Sequence, residues 1–271
     1  MNRAESRRGP FRAGERVQLT DPKGRQYTIS LTTKGYFQST RGSFHHSELI
    51  GAEEGTVINA GEGRRFLALR PLVSEFVLSM PRGATVIYRK DAAEIVHTAD
   101  VFPGSRVFEA GLGSGALTLS LLGAVGAEGH VLSVERRPEF AEIAQGNVTS
   151  WYGGDVPPWN VQIGEADEVL AGLPEGDRDQ VILDMLAPWD MLEGAAHALR
   201  PGGVILAYVA TTTQMSRFVE DMRASKSFTE PVASETLVRT WHLDGLAVRP
   251  DHRMVAHTGF LVVARRLASE S

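Results

Sequence analysis

A glycine-rich turn follows a short apolar segment near the middle of the 271-residue chain. Residues 107–115 read Val-Phe-Glu-Ala-Gly-Leu-Gly-Ser-Gly, and a helix-forming run, Ala-Leu-Thr-Leu-Ser-Leu-Leu, comes directly after them. This order predicts a buried strand that delivers glycines onto a helix N-terminus, where backbone N–H groups can approach a ligand closely. Glu109 places a carboxylate beside the turn, which disfavours a pyrophosphate and favours a ligand that carries an ammonium group.

The same glycines leave a second interpretation open. Gly111, Gly113 and Ala116 fit the dinucleotide fingerprint, and Glu135 follows at about the distance of its ribose-binding acid. The pattern therefore also allows an NAD-dependent dehydrogenase on the same fold. The acid before the turn, the third glycine and the position of the turn deep in the chain count against that alternative.

The elements that position these residues alternate along most of the chain. Apolar runs predict strands, and the segments between them predict helices, which is the rhythm of a mostly parallel α/β sheet covered on both faces. Two further strand-like segments, Thr236–Leu243 and Gly259–Ala264, are expected to pair antiparallel at the sheet edge. The predicted strands are Arg106–Ala110, His130–Glu135, Val161–Ile163, Gln180–Asp184 and Val204–Val209. The predicted helices are Ala116–Ala124, Glu139–Ser150, Ala166–Leu170, Met191–Leu199 and Thr213–Ser225.

The N-terminal part of the chain differs from the rest in pattern and in charge. Short strands with turn signals predict a small β domain over residues 1–75, with residues 1–12 disordered, followed by an α/β domain over residues 76–271. Residues 1–47 carry nine Lys or Arg against three acids, a net charge of +6, and the remainder carries −11. This asymmetry indicates a polyanionic partner for the N-terminal domain.

Composition excludes several other classes. No apolar run is long enough to span a bilayer, and the N-terminus lacks the apolar core of a secretory signal. The chain has no cysteine, which excludes disulfides and thiolate metal sites and fits a cytoplasmic location. The adjacent His45 and His46 have no third partner at ligand spacing, so no metal is expected.

Several motifs together resemble one family. A Glu-x-Gly-x-Gly-Ser-Gly turn followed by a strand ending in Glu135 resembles the class I S-adenosylmethionine-dependent methyltransferases. Ile87-Tyr-Arg-Lys-Asp, Leu183-Asp-Met-Leu-Ala-Pro-Trp, Tyr208-Val-Ala-Thr-Thr-Thr-Gln and His257-Thr-Gly-Phe-Leu sharpen the resemblance. Together they are similar to the tRNA adenine-N1 methyltransferases of the TrmI type, which modify the T-loop adenine at position 58. Arg89 stands where that family usually has proline.

The resemblance implies a fold and a cofactor. The fold is a seven-stranded, mostly parallel sheet with an antiparallel last strand, preceded by a small β domain. S-adenosyl-L-methionine would meet the backbone N–H groups after the glycine turn with its methionine part, and Glu135 with its ribose hydroxyls. Asp167, with Glu165 as a rival, would accept the adenine amino group of the cofactor. The expected cofactor-binding residues are Gly113, Ser114, Gly115, Ala116, Leu117, Glu135, Phe140, Ala166, Asp167 and Asp184.

Asp184 is the strongest catalytic candidate, because it ends an apolar strand at the edge where ligands bind in open α/β sheets. Tyr88, Tyr208 and His257 are expected to shape a substrate pocket, and Gln214 is a weaker candidate. The resemblance also implies tRNA as the substrate and a homotetramer as the assembly. A non-catalytic tRNA-binding subunit and a methyltransferase that acts on another base or a small molecule remain alternatives.

Overall fold

A computed structural model describes residues 7–61, 63–153 and 156–268 of the chain. Its residue contacts divide it into two compact units, here called the N-terminal unit and the catalytic-fold unit. The N-terminal unit contains residues up to Met80 together with residues 149–155, and the catalytic-fold unit contains residues 81–148 and 156–271.

The N-terminal unit is a small antiparallel β structure. Four strands form one sheet in the order β2-β1-β6-β5, and β3 and β4 form a separate hairpin. The short strands form hairpins, since β1 pairs with β2 and β5 pairs with β6. The elements are β1 (Arg16–Thr20), β2 (Gln26–Ser30), β3 (Tyr36–Ser39), β4 (Gly42–His45), β5 (Val57–Asn59), β6 (Arg65–Leu69) and helix α1 (Val73–Ser79).

Alternating apolar residues of these strands build a core of their own. Val17 and Leu19 point inward from β1, and Phe66 and Ala68 point inward from β6. Phe11 is also buried there, at 1% exposure, and its N–H donates to Ala52 O at 2.8 Å. The expectation of disorder up to residue 12 is therefore wrong for residues 7–12, because an aromatic side chain in this stretch completes the core. Residues 1–6 lie outside the described part of the chain.

The catalytic-fold unit alternates helices and strands as predicted. Each predicted strand and helix is confirmed to within two residues at each end, with two exceptions. β11 begins five residues earlier than predicted, and only the last three residues of the predicted strand Thr236–Leu243 lie in a strand. One helix, α2, was not predicted. The elements are α2 (Arg89–Thr98), β7 (Arg106–Ala110), α3 (Ala116–Val125), β8 (His130–Glu135), α4 (Pro138–Tyr152), β9 (Trp159–Ile163), α5 (Ala166–Ala171), β10 (Arg178–Asp184), α6 (Leu192–Ala198), β11 (Leu199–Val209), α7 (Thr212–Ser225), β12 (Val232–Ser234), β13 (Trp241–Asp244), β14 (Ala247–Pro250) and β15 (Phe260–Arg265).

Seven strands form the main sheet in the order β12-β15-β11-β10-β7-β8-β9. β7 to β11 run parallel, and β15 is antiparallel to β11, which confirms the predicted fold class. Val181, Ile182 and Leu183 are all fully buried, as expected for a central strand covered on both faces. The carboxyl ends of β7, β8 and β10 therefore meet at one edge of the sheet.

The edge pairing differs from the prediction. On its outer side β15 pairs antiparallel with β12 (Val232–Ser234), whereas the predicted partner, Thr236–Leu243, contributes its last residues to a separate hairpin of β13 and β14. Strand propensity identified that stretch as extended, but propensity does not select the partner. No helix in the described ranges is long and apolar enough to cross a membrane.

Candidate active site

The glycine turn connects β7 to α3 and lies against the end of β10. Gly111, Gly113 and Gly115 all have positive φ, at 90°, 54° and 78°. A Cβ on Gly111 would lie 1.9 Å from the backbone oxygen of Asp184, so only glycine allows the two segments to approach this closely. The glycine requirement at position 111 therefore places the catalytic candidate next to the turn.

The backbone N–H groups of the turn divide into two sets. Gly113 N–H donates to Glu135 Oε2 at 3.1 Å, and Gly115 N–H donates to Leu112 O at 2.9 Å. The Gly115 N–H therefore closes the turn in this structure, and the expected contact of Gly115 with a ligand stays a prediction. Ala116 and Leu117 open α3, and the first N–H groups of a helix have no acceptor within the helix. These two groups are available to an anionic ligand.

Ser114 anchors the segment before α2 to the turn. Its Oγ accepts hydrogen bonds from the N–H groups of Gly83 and Ala84 at 3.1 and 3.3 Å, and its carbonyl oxygen accepts one from Asn147 Nδ2 at 2.9 Å. The side chain is therefore occupied within the protein. Any contact of Ser114 with a ligand would have to come from its backbone N–H.

Glu135 ends β8 with an ionised carboxylate. Burial acts to raise its pKa, but hydrogen bonds from Arg137 and from the Gly113 N–H outweigh burial, so the pKa of Glu135 is lowered. Arg137 Nε donates to Glu135 Oε1 at 2.9 Å. The carboxylate therefore stays charged at neutral pH, and it holds the second glycine of the turn.

Glu109 lies beneath the turn and is 1% exposed. Thr118 Oγ1 and Ser133 Oγ donate to its carboxylate at 2.8 and 2.5 Å. Burial raises its pKa to about 7, against the effect of these two hydrogen bonds. Glu109 thus faces the interior between β7, β8 and α3, which differs from the sequence expectation of a carboxylate open to a cationic ligand.

Asp184 ends β10 and pairs in register with Tyr208 of β11. Paired residues of neighbouring strands project to the same face, so the carboxylate and the phenol are neighbours. Within residues 7–61, 63–153 and 156–268, no hydrogen-bond donor reaches the Asp184 carboxylate. Burial raises the pKa of Asp184 to about 7, and the charge of Glu135 adds to the shift. A partly buried, unpartnered carboxyl group at a strand end is a candidate functional group.

The loop after Asp184 is held by residues on both sides. Gln214, near the start of α7, donates from Nε2 to Leu186 O at 3.1 Å. Pro188 is buried, and Trp189 lies under the guanidinium of Arg217, 3.9 Å from its ring centroid. These contacts fix the backbone that follows the catalytic candidate.

The remaining cofactor candidates lie on two helices, α4 and α5. Ala166 is buried and Asp167 is exposed in the first turn of α5, directly after the exposed Glu165. Phe140 packs beneath the Arg137 guanidinium, which lies 3.8 Å from its ring centroid. A Cβ on Gly83 would come within 2.8 Å of the Phe140 ring, so this ring also contacts the segment that Ser114 anchors.

The three substrate-pocket candidates have different surroundings. Tyr88 precedes α2 and is 39% exposed, and Tyr208 is partly buried with Gly259 against its ring. Burial raises the pKa of Tyr208 to about 12. His257 Nε2 is bonded to Ala210 O at 3.1 Å, and its ring lies 4.6 Å from that of Phe260. His257 therefore has local structural partners, and its expected role in a substrate pocket stays a prediction.

A buried polar network near Tyr208 was not predicted. Lys90 Nζ donates to Asp91 Oδ1 at 2.7 Å and to Thr258 Oγ1 at 2.6 Å, and Thr258 Oγ1 donates to Asp91 Oδ2 at 2.6 Å. Asp91 is fully buried. The network ties the start of α2 to the residues before β15. The Lys-Asp pair was visible in the sequence, but its partner lies 167 residues away.

No cluster of three or more His, Asp or Glu side chains suited to a metal ion occurs among the residues described. The arrangement at the sheet edge is therefore a glycine turn, a charged Glu135, an unpartnered Asp184 and two tyrosines. It can bind a nucleoside through the turn and present a carboxylate to a second ligand beside it.

Comparisons with known proteins match nearly the whole chain. Residues 9–58 match the family described as TrmI-like N-terminal, and residues 67–245 match the family described as tRNA methyltransferase complex GCD14 subunit. The tRNA (adenine(58)-N(1))-methyltransferase TrmI of Thermus thermophilus is 38% identical over 92% of this chain and 95% of its own length. The tRNA (adenine(57)-N(1)/adenine(58)-N(1))-methyltransferase TrmI of Methanocaldococcus jannaschii is 29% identical over 91% of this chain and 93% of its own length.

Solved structures agree with these sequence matches. A SAM-dependent O-methyltransferase from Thermotoga maritima superposes with a TM-score of 0.89 at 28% identity, covering 96% of both chains. The tRNA (m1A58) methyltransferase TrmI from Aquifex aeolicus gives a TM-score of 0.80 at 28% identity, covering 96% of this chain and all of that one. On the extent and identity of these matches, this chain belongs to the GCD14 family of tRNA methyltransferases, together with the TrmI proteins.

Proposed function

We propose that this protein transfers a methyl group from S-adenosyl-L-methionine to N1 of the T-loop adenine, position 58, of tRNA. The observation that carries the proposal is the unpartnered Asp184 carboxyl beside the glycine turn, since such a group can meet the substrate base. The family assignment favours methyl transfer over the hydride transfer that the glycine pattern alone allowed. The intact turn and the presence of Asp184 argue against a non-catalytic subunit.

The residues around the turn fit this cofactor. Gly111 lets the turn approach the end of β10 closely, and α3 presents unsatisfied N–H groups suited to the carboxylate of a methionine. Glu135, charged and at a strand end, would accept the ribose hydroxyls, and Ala166, Asp167 and Phe140 would surround the adenine. When bound, S-adenosyl-L-methionine supplies an electrophilic methyl group on its sulfonium.

Asp184 would act on the substrate base. N1 of adenine carries a lone pair, so the chain needs no general base to expose it. Methylation makes the adenine ring cationic, and a carboxylate that accepts a hydrogen bond from the N6 amino group stabilises this charge as it develops. Holding the base in line is the other contribution of the chain, through proximity and orientation.

The target base has to leave the tRNA core before it reaches this site. N1 lies on the Watson–Crick edge, so the base must be unpaired and extruded, at a cost of a few kcal/mol. Tyr208, the register partner of Asp184, and the partly exposed Tyr88 would offer aromatic surfaces to such a base. Contacts of the basic N-terminal unit with the RNA backbone would offset this cost. We place the reaction in the cytoplasm.

The pKa of Asp184 predicts how activity depends on pH. With its pKa raised to about 7, the carboxyl is protonated in acid and gains its charge as the pH rises. Since kcat/KM reports ionisations of the free enzyme, we expect it to rise about tenfold per pH unit below pH 7 and to level off above. Initial rates of methyl transfer across this range measure the profile.

Glu109 provides the control, because its pKa is also raised to about 7. Because the Glu109 carboxylate is buried and bonded to Thr118 and Ser133, Glu109→Gln should keep the acidic limb of the profile. If the acidic limb disappeared in Glu109→Gln and persisted in Asp184→Asn, the ionisation would belong to Glu109. That result would contradict the proposed role of Asp184.

We also propose that the protein assembles as a homotetramer through the β13–β14 hairpin. A two-stranded hairpin is marginally stable alone. This one exposes large apolar side chains, with Leu243 at 73% and Leu246 fully accessible, alongside Trp241 and Val248. An apolar patch of this kind on a protein surface indicates a protein interface.

The assembly is tested by charge insertion on this hairpin. We expect Leu243→Asp/Leu246→Asp to convert the tetramer to smaller species in native mass spectrometry, because the substituted carboxylates would be desolvated at the interface. Val57→Asp, at another exposed apolar position, should leave the mass unchanged. A double variant that stays tetrameric would place the interface elsewhere.

Mass spectrometry of tRNA nucleosides tests the activity itself. Unmodified tRNA incubated with the protein and S-adenosyl-L-methionine should yield 1-methyladenosine, and a transcript with guanosine at position 58 should yield none. Methylation of that second transcript at a neighbouring adenine would assign a broader site, as in the name of the Methanocaldococcus relative.

A further inference from the structure

The N-terminal unit contains a cavity of about 320 Å³ that the proposed reaction does not use. It lies between residues 12–16, residues 70–71 and residues 150–153, with Arg7 at its side. Four arginines line it, Arg7, Arg12, Arg16 and Arg70, against a single acid, Glu15. The lining is therefore strongly positive.

Two of these arginines are neutralised within the protein. Arg70 is buried and forms ion pairs with Glu15 at 2.7 Å and Glu54 at 2.9 Å. It also donates to the carbonyl oxygens of Gly9 and Pro10, both at 3.1 Å. Arg12 shares Glu15, at 3.3 Å. These contacts are structural, and they use Glu15, the acid that lines the cavity.

The other two arginines have only neutral partners among the described residues. Arg16 Nη2 donates to the Ser150 hydroxyl, and its guanidinium lies 4.7 Å from the ring centroid of Phe76. Arg7 Nη1 donates to Pro71 O at 3.1 Å. Burial lowers the pKa of Arg16, and no carboxylate of the described part of the chain offsets this effect.

A partly buried guanidinium without a counter-ion is unfavourable unless an anion joins it. Guanidinium groups have the fork of donors that matches the oxygens of a phosphate, and charge-assisted bonds of this type are strong. We propose that the cavity binds a phosphodiester group of the tRNA backbone between Arg7 and Arg16. This inference rests on the proposed function, because it takes tRNA to be the substrate.

The salt dependence of tRNA binding tests the site. Each phosphate contact that is lost reduces the slope of log K against log salt by about 1. We expect that reduction in Arg7→Gln and in Arg16→Gln, with a several-fold weaker affinity, from fluorescence anisotropy with a labelled tRNA transcript. Point variants are needed, because deletion of residues 1–47 would remove four strands and much of the core.

Two control variants make the test specific. Arg65→Gln removes the same charge from an exposed position of the N-terminal unit outside the cavity and should leave the slope unchanged. Arg16→Lys keeps the charge and should restore most of the slope, which separates loss of a contact from loss of folding. Equal slopes in wild type and both cavity variants, or an equal reduction in Arg65→Gln, would overturn the proposal.

Inorganic phosphate distinguishes a free anion from an RNA phosphate. At ionic strength matched with chloride, phosphate should compete with tRNA for wild type but not for the Arg7→Gln/Arg16→Gln double variant. Phosphate that raises the Tm of wild type without displacing tRNA would assign the cavity to a free anion and reject the RNA contact.

The methylation assay separates this inference from the proposed function. Methylation rates are measured over a range of tRNA concentrations. The cavity variants should keep kcat within about twofold and raise the KM for tRNA, since a remote contact contributes equally to binding of the ground state and the transition state. Cavity-dependent tRNA binding without methyl transfer would support the phosphate site and reject the proposed activity. If the protein methylates tRNA but the cavity variants bind tRNA like wild type, the phosphate site is rejected and the proposed activity stands.

Discussion

Asp184→Asn is expected to lower kcat by about 100- to 1,000-fold, the range seen when one preorganised electrostatic contact to a developing charge is removed. The amide is nearly isosteric and can still accept a hydrogen bond from N6, but it carries no charge to stabilise the cationic ring. The carboxyl has no hydrogen-bond donor within the described residues, so the substitution breaks no internal contact. Single-turnover rates of methyl transfer with saturating tRNA measure the effect.

Two measurements make this prediction specific to the reaction. Cofactor affinity by calorimetry should change by no more than a few fold, because Glu135 and the turn, rather than Asp184, would hold most of the cofactor. Asp190→Asn, an exposed acid of the same loop, should leave turnover unchanged. Full turnover in Asp184→Asn would reject the proposed role, whatever the state of the other residues.

Most of the sheet could be predicted from the sequence because six of its seven strands, all but β12, have a local signature. Val181-Ile-Leu is a continuous apolar run typical of a strand buried on both faces, and it ends in an acid. Since parallel strands end at one edge, Glu135 and Asp184 could be placed near the glycine turn without knowledge of any side-chain contact. The close approach of Gly111 to Asp184 agrees with that placement.

Contacts between residues distant in sequence could not be predicted in this way. The Asp91–Thr258 pair and the anchoring of Gly83 by Ser114 depend on how separate elements pack, and neither has a periodic signal. Burial of Phe11 is a similar case, because charge and composition around it are typical of disorder while one aromatic side chain decides the outcome. The pairing of β12 with β15 also could not be predicted, because strand propensity does not select the partner strand.

Gly111→Ala is expected to abolish cofactor binding. Gly111 has a φ of 90°, which an alanine adopts only with strain, and the added Cβ would lie 1.9 Å from Asp184 O. The glycine turn and the end of β10 are packed against each other at this point, so the added Cβ can be accommodated only if one segment shifts away from the other. The substitution therefore displaces the N–H groups of α3 relative to Asp184. Calorimetric titration with S-adenosyl-L-methionine should show no binding.

Gly146→Ala is the matched control for this effect. Gly146 is an exposed position in α4 where an added Cβ would meet no atom within 4 Å. Alanine has the higher helix propensity, so this variant should bind the cofactor normally and gain about 0.5–1 kcal/mol in unfolding free energy. A Gly111→Ala protein that binds the cofactor like Gly146→Ala would mean that the turn tolerates a side chain. The close approach to β10 would then not be what positions Asp184.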